Sequence, residues 1–204
     1  MKKGAVILCG GKSSRMGRDK ATLPFGHELM LQRIVRLVSQ VVDPKSIVVV
    51  AAKNQNLPPL PSEIILATDE QPDRGPLEGL AAGLRSLPPN VDAFYATSCD
   101  VPLLVPAFVT AMFERLTDHD IAVPFDGQYF HPLSAVYRPR IQPIVQQLLA
   151  TNQLRPVFLF DQTRTAKIPT TDLRVVDPNL DTLMNLNHPE DYQKALARAS
   201  FISS

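Results

Sequence analysis

Ser46 to Ala52 read SIVVVAA, a β-branched run with no polar residue after the first. A strand with one wet face alternates apolar and polar side chains. A run that does not alternate is covered on both faces, as strands inside an α/β sheet are. Comparable short runs recur at Ala5 to Cys9, Ile64 to Ala67, Ala93 to Ser98, Asp120 to Pro124 and Ser134 to Tyr137. Segments of helical period separate them. In Leu29 to Val42 the residues Leu31, Ile34, Val35, Val38, Val41 and Val42 follow i, i+3, i+4 spacing, which lines one face of a helix. Further helices are expected at Leu77 to Ser86, stopped by Pro88 and Pro89, and at Pro106 to Leu116, Pro139 to Ala150 and Pro189 to Ala199. Ala166 to Ile168 and Leu173 to Val176 read as short strands, while Pro156 to Asp161 suits either state. Strands alternating with helices specify an α/β fold with mostly parallel strands. With 204 residues, no internal repeat and prolines sitting between elements, residues 1–204 are expected to form a single domain.

Ligands of open α/β sheets collect beyond the carboxyl ends of the strands. The first strand runs into GGKSSRMGRDK, which holds glycines at 10, 11 and 17 and the cations Lys12, Arg15, Arg18 and Lys20. Glycine lets backbone N–H groups cradle an anion, and the cations neutralise it, so a polyphosphate is the natural guest. The string is neither a P-loop, G-x-x-x-x-G-K-[ST], nor a dinucleotide fingerprint, G-x-G-x-x-G. The strand Ala93 to Ser98 ends in CDVP, presenting Asp100 at the sheet edge. Mg²⁺ takes one or two carboxylates together with phosphate oxygens and water, so Asp100 suits a metal–nucleotide site; a turn or helix-capping role is the alternative. Thr68 to Leu84, TDEQPDRGPLEGLAAGL, supplies Asp69 and the turn at Gly75 and Gly79, where a flat base can approach closely. Asp69 also reads as an ordinary surface carboxylate.

The formal net charge is +1 and aromatic residues make up 6%, which disfavours a nucleic-acid partner. No apolar run reaches the roughly 18 residues of a membrane span. The opening MKKGAVILCGG has an apolar part only from Ala5 to Cys9, short of the roughly 7–15 residues of a signal core. A cytoplasmic location without membrane contact is expected. The two cysteines, Cys9 and Cys99, are too few for a disulfide framework or a structural zinc site. They read as reduced, buried side chains that come close if their strands are neighbours.

The stretch Leu8 to Lys20, L-x-G-G-x-S-x-R-M-G-x-D-K, closely resembles the nucleotide-binding signature of the molybdenum cofactor guanylyltransferases. The likeness runs from Ala5 to about Tyr192. It implies a three-layer, Rossmann-like nucleotidyltransferase domain with a mostly parallel, mixed central sheet, nucleotide-binding in its N-terminal part and acceptor-binding in its C-terminal part. It further implies nucleotide contacts at Leu8, Cys9, Gly10, Gly11, Lys20, Asp69, Gly75 and Asp100. Catalytic roles fall to Arg15, Lys20 and Asp100, with Mg²⁺ on Asp100. The G-P-L-x-G segment from Gly75 is similar to that of GTP users, which favours guanine over cytosine. On the acceptor side the resemblance points to His131 in an H-P step, Arg155 in L-R-P-V, and Asn185 and Asn187 in N-x-N-x-P-E-[DE]. A structural histidine and a helix cap at Asn187 are the plainer readings. The implied partners are GTP and molybdopterin or molybdenum-molybdopterin, with room for transient contact with cofactor-delivery or molybdoenzyme proteins, and a monomer is expected. The implied reaction moves GMP from GTP to the molybdopterin phosphate and releases pyrophosphate. A cytidylyl or sugar-phosphate nucleotidyltransferase, or a nucleotide-binding regulator without turnover, are the rival readings. The chain departs from the pattern at Cys9, where alanine is usual. It departs again at Ala51, where guanylyl members often carry a nucleotide-contacting asparagine; Asn54 is nearby.

Overall fold

The structure is a computed structural model that describes residues 1–9, 19–69, 71 and 74–202. The first strand, β1 (Lys3–Leu8), is followed by a two-stranded hairpin, β2 (Pro24–Phe25) and β3 (Glu28–Leu29). The helix α1 (Met30–Val38), β4 (Ile47–Ala52), β5 (Ile65–Asp69), α2 (Pro76–Ser86), β6 (Ala93–Ser98), α3 (Pro106–Arg115) and β7 (Ile121–Phe125) come next. The chain ends with β8 (Ala135–Tyr137), α4 (Gln142–Ala150), β9 (Thr165–Pro169), α5 (Thr170–Leu173) and α6 (Pro189–Ile202). The main sheet has seven strands in the order β5-β4-β1-β6-β8-β7-β9. Of these only β8 runs against its neighbours, pairing antiparallel with both β6 and β7. This is the mixed, mostly parallel sheet expected from the sequence.

Side chains alternate across the sheet into two cores. Ala5, Ile7, Ile47 and Val49 face one way and pack with Leu31, Ile34 and Val35 of α1 and Phe108 and Met112 of α3. Val6, Leu8, Val48 and Val50 face the other way, toward Leu77, Leu80 and Leu84 of α2 and Val145 and Leu148 of α4. Both faces of β1 and β4 are therefore buried, which is why their sequences lack polar alternation. A third, smaller cluster joins Phe25 of the hairpin to Leu103, Leu186 and Ala195 of α6.

Gly83 brings α2 down onto the sheet. A Cβ there would stand 2.3 Å from Cγ1 and 2.9 Å from Cγ2 of Val6, a β-branched side chain with little rotamer freedom. Alanine improves helix propensity by up to about 1 kcal/mol, but overpacking costs about 1–3 kcal/mol. Gly83→Ala is therefore expected to destabilise by about 1–2 kcal/mol net. A urea titration with an unchanged or raised midpoint would show that α2 can lift off the sheet freely.

The sequence reading differs from the structure at several joints. The apolar residues Leu173 to Val176 do not form a strand. Leu173 ends α5, and Val176 and Asp177 both donate to the Leu173 carbonyl, at 3.1 and 2.9 Å. With β9 already at the sheet edge, Val175 is left 86% exposed. The helix expected through Val42 stops at Val38, where the Ser39 hydroxyl donates to the Val35 carbonyl (2.7 Å). Val42 still reaches the core from the turn that follows. Pro139 to Ala150 begins as a 3-10 turn over Pro139–Ile141, and the α-helix starts only at Gln142. Pro143 lies in its first turn, where a missing N–H costs least. Pro156–Leu159 resolves as a 3-10 turn.

Candidate active site

The carboxyl ends of β1, β4, β5 and β6 lie side by side. Leu8 pairs with Val50 and Ser98, and Ala52 pairs with Asp69. The backbone N–H of Cys9 donates to the Val50 carbonyl (2.8 Å), and that of Cys99 to the Leu8 carbonyl (3.0 Å). These bonds carry the sheet ladder one residue past the strands. Both thiols are free and buried. A hydrogen bond to Cys99, followed by burial, pushes the Cys9 thiol well above its ordinary range, so it stays protonated and unreactive near neutrality. Among the residues expected in the first loop, Gly10, Gly11 and Arg15 lie outside the described residues, as do Lys12, Gly17 and Arg18.

Lys20 and Asp100 stand eighty positions apart in the chain and meet here. Lys20 Nζ donates to Asp100 Oδ2 at 2.9 Å, with side chains only 16% and 17% exposed. Each is held by its own local structure. Lys20 opens a 3-10 turn, Lys20–Thr22, capped by Asp19, whose Oδ1 accepts from the Ala21 N–H (2.9 Å). Asp100 lies two residues past the end of β6, and the Ser98 hydroxyl donates to its other oxygen, Oδ1. Its backbone carbonyl accepts from Leu186 N–H (2.9 Å), which brings the exposed Asn185 and Asn187 to the edge of the same site.

The remaining expected residues spread along this sheet edge. Asp69 ends β5, and its Oδ1 accepts from Gln71 N–H (3.0 Å). Gly75, the residue before α2, has φ +77°, a conformation glycine adopts without strain. A Cβ there would lie 3.3 Å from the Leu154 carbonyl, so the Arg155 segment abuts the start of α2. A polar cleft of about 500 Å³ runs between β5 and α2 and includes Thr68, Gln71, Glu78 and Arg85 in its lining. His131 sits farther along, its N–H donating to the Pro124 carbonyl near the end of β7 (3.0 Å). Its Nε2 stands 3.4 Å from Asp126 Oδ2. Backbone N–H groups of Tyr129 and Gln128 hold the Asp126 carboxyl below its usual range. At the start of α6, Asp191 Oδ2 reaches back to accept from Asn187 N–H (3.1 Å) and His188 N–H (2.8 Å).

Three side chains that organise the site carried no signal in periodicity or motif. Ser98 holds Asp100, and Gln55 contacts Asp19. Arg33, on the α1 face turned toward the hairpin, donates from Nε to the Pro102 carbonyl (2.6 Å) and lies 4.8 Å from the Phe25 ring centre. Its Nη1 pairs with Glu28 at 3.0 Å. Hydrogen bonds from Arg36 first, and from Arg33, hold the Glu28 carboxyl below its ordinary range against the opposing effect of burial. One guanidinium thus ties the hairpin after Lys20 to the loop after Asp100.

The donor set fits a hard divalent cation. Asp100 offers carboxylate oxygen at a strand end, and no group of three or more His, Cys, Asp or Glu gathers among the described residues. A cation here would draw most of its ligands from phosphate and water, the usual habit of Mg²⁺. Among the described residues no helix is long and apolar enough to cross a membrane.

Comparison with known proteins identifies the family and the fold. Residues 5–165 match the family model of the MobA-like NTP transferase domain. A probable molybdenum cofactor guanylyltransferase of Methanosarcina mazei is 31% identical, covering 97% of this chain and 91% of the relative. Its counterpart in Mycobacterium ulcerans is 34% identical, covering 90% of this chain and 91% of the relative. The crystal structure of molybdopterin-guanine dinucleotide biosynthesis protein A from Archaeoglobus fulgidus superposes with a TM-score of 0.79 at 18% identity, covering 98% of this chain and 99% of that one. That superposition is evidence of a shared fold, and the span of the family model takes in Lys20, Asp100 and β1 from Ala5 onward. The chain belongs to the MobA-like NTP transferase domain family.

Proposed function

We propose that this protein transfers GMP from GTP to the terminal phosphate of molybdopterin, with or without molybdenum, and releases pyrophosphate. The observation that carries the reading is the Lys20–Asp100 pair at the shared carboxyl edge of β1 and β6. Support for the substrates comes from the relatives' names and from the G-P-L-x-G segment at Gly75. In this reading the whole chain is a single nucleotidyltransferase domain acting as a monomer. Its N-terminal part binds nucleotide through Leu8, Cys9, Gly10, Gly11, Lys20, Asp69 and Gly75. Its C-terminal part receives the acceptor near His131, Arg155, Asn185 and Asn187.

The chemistry needs no side-chain nucleophile. The acceptor phosphate is already an anion near neutrality; one of its oxygens attacks the α-phosphorus of GTP, the bond to the bridging oxygen of the β-phosphate breaks, and pyrophosphate leaves. The protein's part is placement and charge stabilisation, as in phosphoryl transfer generally. Lys20 stabilises charge that grows on the leaving pyrophosphate, and Arg15 adds a planar, bidentate donor. Asp100 would hold Mg²⁺, which when bound neutralises phosphate charge. Ser98 fixes the direction of the Asp100 carboxylate.

The test is to incubate the protein and Mg²⁺ with molybdopterin, with and without molybdenum, and each of the four nucleoside triphosphates, then identify products by mass. A guanine dinucleotide and stoichiometric pyrophosphate from GTP alone are expected. A cytosine product would move the assignment to a cytidylyltransferase. Nucleotide binding with no pyrophosphate under any acceptor would make the protein a regulator.

A further inference from the structure

Gln55 lies three residues past β4 and is folded back onto the strand's last residue. Its backbone N–H donates to the Ala52 carbonyl (3.1 Å), and its Oε1 accepts from the Ala52 N–H (3.0 Å). Between them Asn54 adopts φ +62°, a conformation asparagine tolerates better than most residues. The amide is thereby anchored to the sheet with its nitrogen pointing outward. That nitrogen donates twice, to the Cys9 carbonyl (3.1 Å) and to Asp19 Oδ2 (2.8 Å). Both partners are pure acceptors, so only one orientation of the amide is compatible with them.

We infer that Gln55 is a positioning residue for Lys20, an inference that rests on the nucleotidyl-transfer reading above. One oxygen of Asp19 is held by Gln55, and the other caps the turn that begins at Lys20. Lys20 in turn reaches Asp100 at the end of β6. A continuous line of hydrogen bonds therefore runs from the end of β4, through Gln55 and Asp19, to the turn that sets where the Lys20 ammonium lies. Gln55 also ties Asp19 to Cys9, so the end of β1 and the Lys20 turn keep a fixed spacing. Without it, the carboxylate of Asp19 would keep only its bond from the Ala21 N–H and the turn would lose this tie to the sheet.

Two near-isosteric variants separate positioning from bulk. Gln55→Met keeps length and volume and removes both donors. Gln55→Glu sets an acceptor against the Asp19 carboxylate and the Cys9 carbonyl. Each is expected to lower kcat for pyrophosphate release from GTP by about 10–100-fold, the size of effect that misplacing a reacting group produces, with KM for the acceptor changed less than about twofold. Added to Lys20→Ala, Gln55→Met is expected to cost less than about a further twofold, because its effect passes through Lys20. A purely structural role would instead give a full, multiplicative loss in that background, and that result overturns the proposal.

A second measurement does not depend on turnover. The side-chain amine resonance of Lys20, assigned by its loss in Lys20→Ala, is expected to be shifted and protected from exchange in the wild type. It should move toward the free-lysine position in Gln55→Met. An unmoved resonance overturns the positioning role. A wild type that releases no pyrophosphate from any triphosphate, yet shows the moved resonance in the variant, keeps the positioning role and removes the nucleotidyl-transfer reading instead.

Discussion

Asp100→Asn is expected to lower pyrophosphate release from GTP by about 10³-fold while leaving the fold intact. The substitution keeps the shape at the end of β6, and the amide oxygen can still accept from the Ser98 hydroxyl that now orients the carboxylate. What is lost is the negative charge. A carboxylate that anchors a divalent cation on a polyphosphate supports several kcal/mol of transition-state stabilisation, and each 1.36 kcal/mol is a factor of ten. Loss of about 4 kcal/mol gives the thousandfold figure. Chelation with EDTA should stop the wild-type reaction and Mg²⁺ restore it, and the variant should need far more Mg²⁺ for its residual rate. Retention of a tenth or more of the wild-type rate at ordinary Mg²⁺ would assign Asp100 to the turn and not to the chemistry.

Lys20→Ala is expected to lower the same rate by about 10²–10³, the cost of removing one preorganised donor from a site of developing charge. Its side chain is only 16% exposed and already directed at the sheet edge by the Asp19-capped turn, so little reorganisation accompanies the reaction. Lys20→Arg is expected to recover only part of the loss, since a planar fork does not reproduce a compact ammonium at the end of a flexible stem. The variant should still fold. The Lys20–Asp100 pair is mostly covered, though Ser98 still holds the carboxylate, so losing it costs about 1–3 kcal/mol, a shift of about 2–12 °C in Tm for a domain of this size. Steady-state kinetics and a thermal melt on the same sample separate the two effects. A large fall in Tm with a modest fall in rate would make Lys20 a structural strut.

The inner strands of the sheet were legible because they are covered on both faces. Ala93 to Ser98 coincides with β6, and Ser46 to Ala52 overruns β4 by one residue. Elements whose shape depends on long-range partners were not legible. The β2–β3 hairpin has two residues per strand, too few to show a period, and exists because Phe25 packs with Leu103, Leu186 and Ala195. A glycine at φ +67° opens its tight turn, as such hairpins favour. Leu173 to Val176 misled because an apolar run looks the same whether it joins a sheet or only drops Leu173 into a core from a turn. At the site, Lys20 and Asp100 stood out because each lies in a distinctive local pattern in the connection that follows a strand. Gln55, Ser98 and Arg33 were not, because each acts through a backbone group or carboxylate brought to it by the fold. Sequence spacing carries no record of such pairings.

The central claim is that Lys20 and Asp100 act on the same bound triphosphate. It is tested most directly with an acyl phosphate of GTP, a reagent that acylates a lysine amine lying beside the terminal phosphate. Peptide mapping should find the acyl group on Lys20, with labelling suppressed by excess GTP and strongly reduced in Asp100→Asn. Labelling that misses Lys20, or that is indifferent both to GTP and to the loss of the Asp100 charge, would contradict the claim.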